Sequence, residues 1–177
     1  MCSDAFVFIR RWLWAALVAG SCAGCGFHPL MGQSSAPGVR ENLADIRIDM
    51  IPDRSGQILR NYLLDDIVPK GVAARPRYRL QVLLQEPRRE IAIQRDNTAS
   101  RVAYAATTNF YLRDETSSAV LYSGTSYSET TYEVTTSEFA TLSSLNGARD
   151  RVLQDVSADI RQQLADFFAR PRDVLPR

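Results

Sequence analysis

The chain has 177 residues, with 21 Lys and Arg against 20 Asp and Glu, a single His and three Cys, for a formal net charge of +1. A balance so close to neutral gives no whole-molecule field toward nucleic acid or a charged membrane surface. One His and so few Cys leave no spacing for a zinc site, and neither a metal nor another cofactor is expected.

The N-terminus changes what the rest of the chain is. Arg10 and Arg11 precede an unbroken apolar run over 12–19, and Gly20, Ser21, Ala23 and Gly24 follow it. Charged, then apolar, then small is the order of a secretory signal peptide. The apolar run is also shorter than the ~20 residues a membrane-spanning helix needs. Next comes the string Cys22-Ala23-Gly24-Cys25, which resembles the lipobox of bacterial lipoproteins. That resemblance implies cleavage before Cys25 and a diacylglyceryl group on its thiol. A cut before Cys22 is the alternative, and Cys22 itself stands where a lipobox usually has Leu. With Cys2 and Cys22 removed, the mature chain keeps one Cys at its first position, and a leftover Cys in a secreted chain asks for an explanation of this kind. Several acyl chains on one residue hold a protein stably at a membrane where one holds it marginally. Gly26 in place of Asp implies, by the usual lipoprotein sorting rule, the outer membrane.

Residues 1–24 are thus read as the signal peptide, 25–43 as a lipid-anchored flexible tether rich in Gly, Pro, Ser and Gln, 44–170 as one folded domain and 171–177 as a disordered tail. Within the domain, Ile46, Ile48 and Met50 alternate with Arg47 and Asp49 as a short strand ended by Pro52. Ile58, Leu59, Tyr62, Leu63, Ile67 and Val68 then mark one face of a helix, with Asp53 or Ser55 as its N-cap and 69–71 as its stop. Three strands follow. Tyr78, Leu80, Val82 and Leu84 share a face of the first; Val102, Tyr104, Ala106, Thr108, Phe110 and Leu112 share a face of the second. A polar turn over 114–118 leads into the third, from Val120 to about Tyr127. Phe139, Leu142, Leu145, Val152, Val156, Ile160, Leu164 and Phe167 then recur at helical spacing. Thr135 and Glu138 stand in capping-box positions before them, and Asn146-Gly147 is a place where this helix could bend.

Strand, helix, three strands, helix predicts an α+β two-layer sandwich, two helices packed on one face of a four-stranded mixed sheet. The first connection is long enough for a crossover, which allows the first strand to lie parallel to a neighbour.

Chemistry-bearing groups are sparse. His28, the only His, lies in the tether, where it cannot be held rigidly beside a nucleophile. Asp65-Asp66 and Asp114-Glu115 read as solvated carboxylates on a helix and in a turn. No enzyme is expected. The remaining candidates are Arg88, Arg89, Arg95 and Arg101, which flank the turn between the two long strands. They serve either to protect a sheet edge from aggregation or to clamp phosphate, which Arg pairs grip bidentately.

The string Cys25-Gly26-Phe27-His28-Pro29-Leu30-Met31-Gly32 resembles the start of the mature LPS-assembly lipoproteins, the LptE family, where Tyr is usual at the place of Met31. Ile51-Pro52-Asp53-Arg54, the stretch Leu59-Arg60-Asn61-Tyr62-Leu63 and a final amphipathic helix carrying Asp159, Ile160 and Leu164 are similar to that family too. The resemblance implies a heterodimer with the outer-membrane β-barrel LptD. In it the lipoprotein plugs the barrel, assists its assembly and helps deliver lipopolysaccharide to the outer leaflet. It also implies lipopolysaccharide contacts, for which Arg88, Arg89, Arg95 and Arg101 are candidates by location. The stretch from Glu129 through Glu133 to Glu138 carries no basic residue. A plug faces a polar lumen, which suits Tyr111, Tyr122, Tyr127, Tyr132 and the many Ser and Thr over 107–144. The rival readings are a pilot lipoprotein for another outer-membrane complex such as a secretin, a lipid-anchored periplasmic hydrolase, and a purely structural envelope protein.

Overall fold

A computed structural model describes residues 38–69, 71, 73–93 and 99–170, with the backbone alone at 88–93, 99 and 100. The expected signal peptide, Cys25, most of the expected tether, Arg95 and the expected tail over 171–177 lie outside the described residues. The elements in chain order are α1 (Val39–Ala44), β1 (Ile46–Ile48), α2 (Asp53–Ile67), β2 (Tyr78–Gln85), β3 (Arg88–Ile93), β4 (Ala99–Asp114), β5 (Val120–Thr135) and α3 (Glu138–Ala169).

The expected α+β sandwich is present. β4 is the spine of the sheet. β5 pairs antiparallel along one side of it from Ala99↔Thr135 to Arg113↔Val120. β2 and β3 share the other side, β2 against 107–114 and β3 against 100–104. β1 completes the sheet by pairing parallel to β2, Ile46 opposite Tyr78. The five strand segments therefore fill four ranks. β2 and β3 are one rank interrupted at Glu86-Pro87, since Pro has no N–H to continue the ladder, although the Pro87 carbonyl still accepts from the Ala105 amide at 3.3 Å.

Both long helices pack on one face, α3 against β4 and β5, and α2 against α3 and β1. The alternation that defines that face holds through β4: Val102, Tyr104, Ala106, Thr108, Phe110 and Leu112 are all buried. Leu80 and Val82 join them from β2, and Leu59, Leu63 and Ile67 from α2. From α3 come Val152, Leu153, Val156, Ile160 and Leu164. Each fully buried side chain of this size contributes about 1.5–3 kcal/mol. Helix and sheet touch closely at Gly124, where an added Cβ would lie 2.5 Å from Phe110 Cζ and 2.6 Å from Gln163 Oε1.

Several boundaries differ from the sequence reading. The folded domain begins before residue 44, where the sequence reading started it: Val39 and Leu43 sit in the core on α1, because one helical turn brings them to the same side against α3. β5 runs on to Thr135. Its second half is mostly Ser, Thr and Glu, so little apolar alternation announces it, and pairing with β4 holds it extended. The N-cap of α2 is Pro52, with Asp53 as first helical residue at φ +67° and Ser55 buried. The cap of α3 is Ser137, whose Oγ accepts from the Ala140 amide at 3.3 Å. Thr135 instead donates its amide to Thr141 Oγ1 at 3.0 Å. α3 passes Asn146 and Gly147 without a break for 32 residues.

Three residues expected on buried faces are on the surface, among them Met50, 77% exposed beyond the end of β1 at Ile48. Phe139 is 83% exposed and Leu142 52%, and the buried residues of α3 begin only at Ala148. α2, at 15 residues, has less than half the length of α3 and cannot cover all of it.

Candidate functional site

The register gives the molecule two ends, about 50 Å apart along the 16-residue strands β4 and β5. At one end β4 turns into β5. Here Asp114 Oδ1 accepts from the amide and hydroxyl of Ser117 at 2.7 and 3.0 Å and from the Thr116 amide at 3.0 Å, which together hold the Asp114 carboxyl below its ordinary pKa and fix the expected polar turn. The last turn of α3 docks at this end through aromatic rings: Phe167 stacks on Tyr122 with centroids 5.2 Å apart, and Phe168 meets Tyr78 at the same distance. At the other end lie the β3–β4 hairpin and the first turns of α3, tied to β5 by the bond from the Glu133 amide to Ser144 Oγ at 3.4 Å.

The candidate arginines belong to this hairpin end. Arg88 and Arg89 lie in β3, in register with Tyr104 and Ala103. Arg101 lies on β4 opposite Ala92 on one side and Glu133 on the other. Its Nη2 donates to Glu133 Oε1 at 3.2 Å, with both side chains exposed. A pair so exposed contributes at most about 1 kcal/mol, but it offsets the charge that Arg101 would offer an anion. Glu129 and Glu133 are strand residues of β5, and Glu138 opens α3. Arg88, Arg89 and Arg101 therefore share one end, with a carboxylate among them.

Sequence reading missed a polar cluster on the helix side of the same end. The Tyr104 hydroxyl, buried, donates to Glu86 Oε1. The Arg149 guanidinium stands 6.0 Å from the centre of the Tyr104 ring and donates to Asn146 Oδ1 at 2.9 Å. Burial, and then the Glu86 carboxylate, push the Tyr104 hydroxyl up to about 12. A phenol with so high a pKa is a poor base or nucleophile near neutral pH. Its evident work is to tie α3 and the β2–β3 break to the spine strand. Nothing in the sequence flags the cluster, since its members are 18 and 45 positions apart and meet only through register.

The helix-free face of the sheet is mostly polar, with Leu83 exposed beside Asn109, and Ala103 and Ala105 toward the hairpin end. In rank order it presents Gln81 beside Tyr111, Asn109 beside Thr125, and Thr107 beside Tyr127. Thr125 Oγ1 donates to Asn109 Oδ1 at 3.0 Å. Such a surface can form many hydrogen bonds, and Leu83 is a large apolar side chain exposed among them. Among the described residues there is no cluster of three His, Cys, Asp or Glu that could hold a metal, and no helix long and apolar enough to cross a membrane.

No family model and no curated protein matches the sequence. Solved structures do match its fold. A presumptive lipoprotein from Caulobacter crescentus CB15 superposes with a TM-score of 0.65 at 23% identity, covering 76% of this chain and 98% of that one. A minor lipoprotein from Acinetobacter baumannii gives a TM-score of 0.50 at 17% identity, covering 68% of this chain and 90% of that one. At these identities the likeness establishes the shared fold.

Proposed function

We propose that this chain is an outer-membrane lipoprotein, acylated at Cys25, that plugs and assists assembly of the LptD β-barrel and helps deliver lipopolysaccharide to the outer leaflet. The observation that carries the reading is the Cys25-Gly26-Phe27-His28-Pro29-Leu30 box, which resembles the LptE family and stands ahead of a domain with that family's element order. Two things support it further. Proteins of the same fold bear lipoprotein names, and the long helix-free face, with its Tyr, Thr, Asn and Gln, suits contact with the polar interior of a barrel. Arg88, Arg89, Arg95 and Arg101 are the proposed contacts for lipid phosphate, with Glu133 competing for Arg101.

Depletion of the chain in its own bacterium tests the reading. Folded LptD and surface-exposed lipopolysaccharide should both fall. Unchanged levels of both would overturn it.

A further inference from the structure

At the β4–β5 turn end, three arginines stand side by side across the helix-free face. Register puts Arg47 of β1 opposite Arg79 of β2, and Arg79 opposite Arg113 of β4, so neighbouring Cα atoms are about 5 Å apart. Like charges directly opposite one another destabilise a sheet, and here three occur in one row. Two carboxylates answer them. Glu115 lies 2.9 Å from Arg47 Nη2 and 3.3 Å from Arg79 Nε, and Asp49 lies 3.8 Å from Arg79 Nε. Among the described residues Arg113 has no carboxylate within bonding reach. Its Nη1 donates to the Ser118 carbonyl at 3.2 Å, and its guanidinium stands 5.9 Å from the centre of the Tyr111 ring. Three guanidinium groups against two carboxylates leave the row one surplus positive charge, centred on Arg113, and a guanidinium without a carboxylate partner suits a phosphate group.

Its position says which phosphate. The Asp45 carbonyl accepts from the amides of Arg77 and Tyr78 at 3.0 and 3.2 Å. This ties the C-terminal end of the six-residue α1 to the same end of the sheet, and α1 itself is only about 9 Å long. The roughly 13 residues between Cys25 and Gly38 reach at most about 45 Å. With α1 and the two residues from Asp45 to Arg47 added, an acylated Cys25 keeps the row within about 60 Å of lipid headgroups.

We propose that Arg47, Arg79 and Arg113 form a phosphate-binding row that engages the headgroups of anionic phospholipid in the leaflet where the chain is anchored. It rests on acylation at Cys25 and needs no barrel. The test uses the whole mature chain with Cys25→Ser, so that no acyl chain contributes. Its co-sedimentation is compared between vesicles of phosphatidylglycerol mixed with phosphatidylcholine and vesicles of phosphatidylcholine alone. Association with the mixed vesicles should be clear at low salt and weaken with added salt. Arg113→Gln and Arg47→Gln should each reduce it about fivefold, while Arg151→Gln, an exposed change on α3, should leave it intact. Thermal unfolding of each variant confirms that it is folded. Equal association with phosphatidylcholine alone, or wild-type association by both folded row variants, would overturn the proposal. So would protection of the row by inorganic phosphate without any vesicle binding. No barrel is present in the assay, so a negative result here leaves the barrel reading standing.

Discussion

Tyr104 shows how one side chain can tie together elements that are distant in sequence. Its hydroxyl meets Glu86 at the β2–β3 break, and its ring lies under Arg149 of α3. Tyr104→Phe keeps the packing and removes the bond to Glu86, and we expect a loss of about 1 kcal/mol in chemical denaturation. The alkaline limb carries a second signature. The hydroxyl pKa is raised in the folded state to about 12, so its stabilisation is complete below the ordinary value of 10.0 and is lost as pH rises through about 12. Melting temperature should fall across that window in the native protein, and less steeply in Tyr104→Phe. Gly124 makes a different claim on the same spine strand. A methyl there collides with Phe110 and Gln163, and Gly124→Ala should cost about 1–3 kcal/mol by overpacking. An unchanged denaturation midpoint would contradict the close approach of α3 to the sheet.

At the scale of elements, the test case is α3. Apolar periodicity alone placed Phe139 and Leu142 with Val152, Ile160 and Leu164, because a helix repeats its stripe whether or not anything covers it. Leu142 and Ile160 are about five turns apart and fall on one line along the helix, yet one is exposed and the other fully buried. Periodicity reports which face could be covered, and the length of α2 decides how much is. Leu164→Ala should therefore cost about 2–5 kcal/mol, whereas Leu142→Ser should change stability by less than about 0.5 kcal/mol. Equal losses would contradict the burial boundary at Ala148. The same limit explains β5. Its first half follows from the alternation read in the sequence, but its second half has few apolar residues and exists because β4 is long enough to pair with it. β4 itself was legible as far as its apolar face extends. The β2–β3 interruption was not, because Glu86-Pro87 reads as an ending, and only the partner strand reveals that the rank continues. Of the candidate arginines, location on the hairpin was legible and pairing was not: that Arg101 faces Glu133 follows from register over 32 positions. Arg47, Arg79 and Arg113 could each be assigned to the outward side of a strand, but nothing in the sequence puts them in one row.

At the scale of the whole molecule, the fold places different chemistry at its two ends and along one face. The β4–β5 turn end carries α1, the aromatic clasp of α3 and the arginine row. The hairpin end carries Arg88, Arg89, Arg101 and the uncovered start of α3. The polar sheet face runs between them. A lipid-anchored plug needs such a division, with one end near its membrane, a long hydrogen-bonding side against a barrel wall, and a distal tip for lipid phosphate. The most direct test is affinity purification of the tagged full chain from detergent-solubilised outer membranes, with the stoichiometric partners identified by mass spectrometry. The account predicts one large β-barrel, LptD, recovered one-to-one. Recovery of a secretin ring, or of no barrel at all, would contradict it.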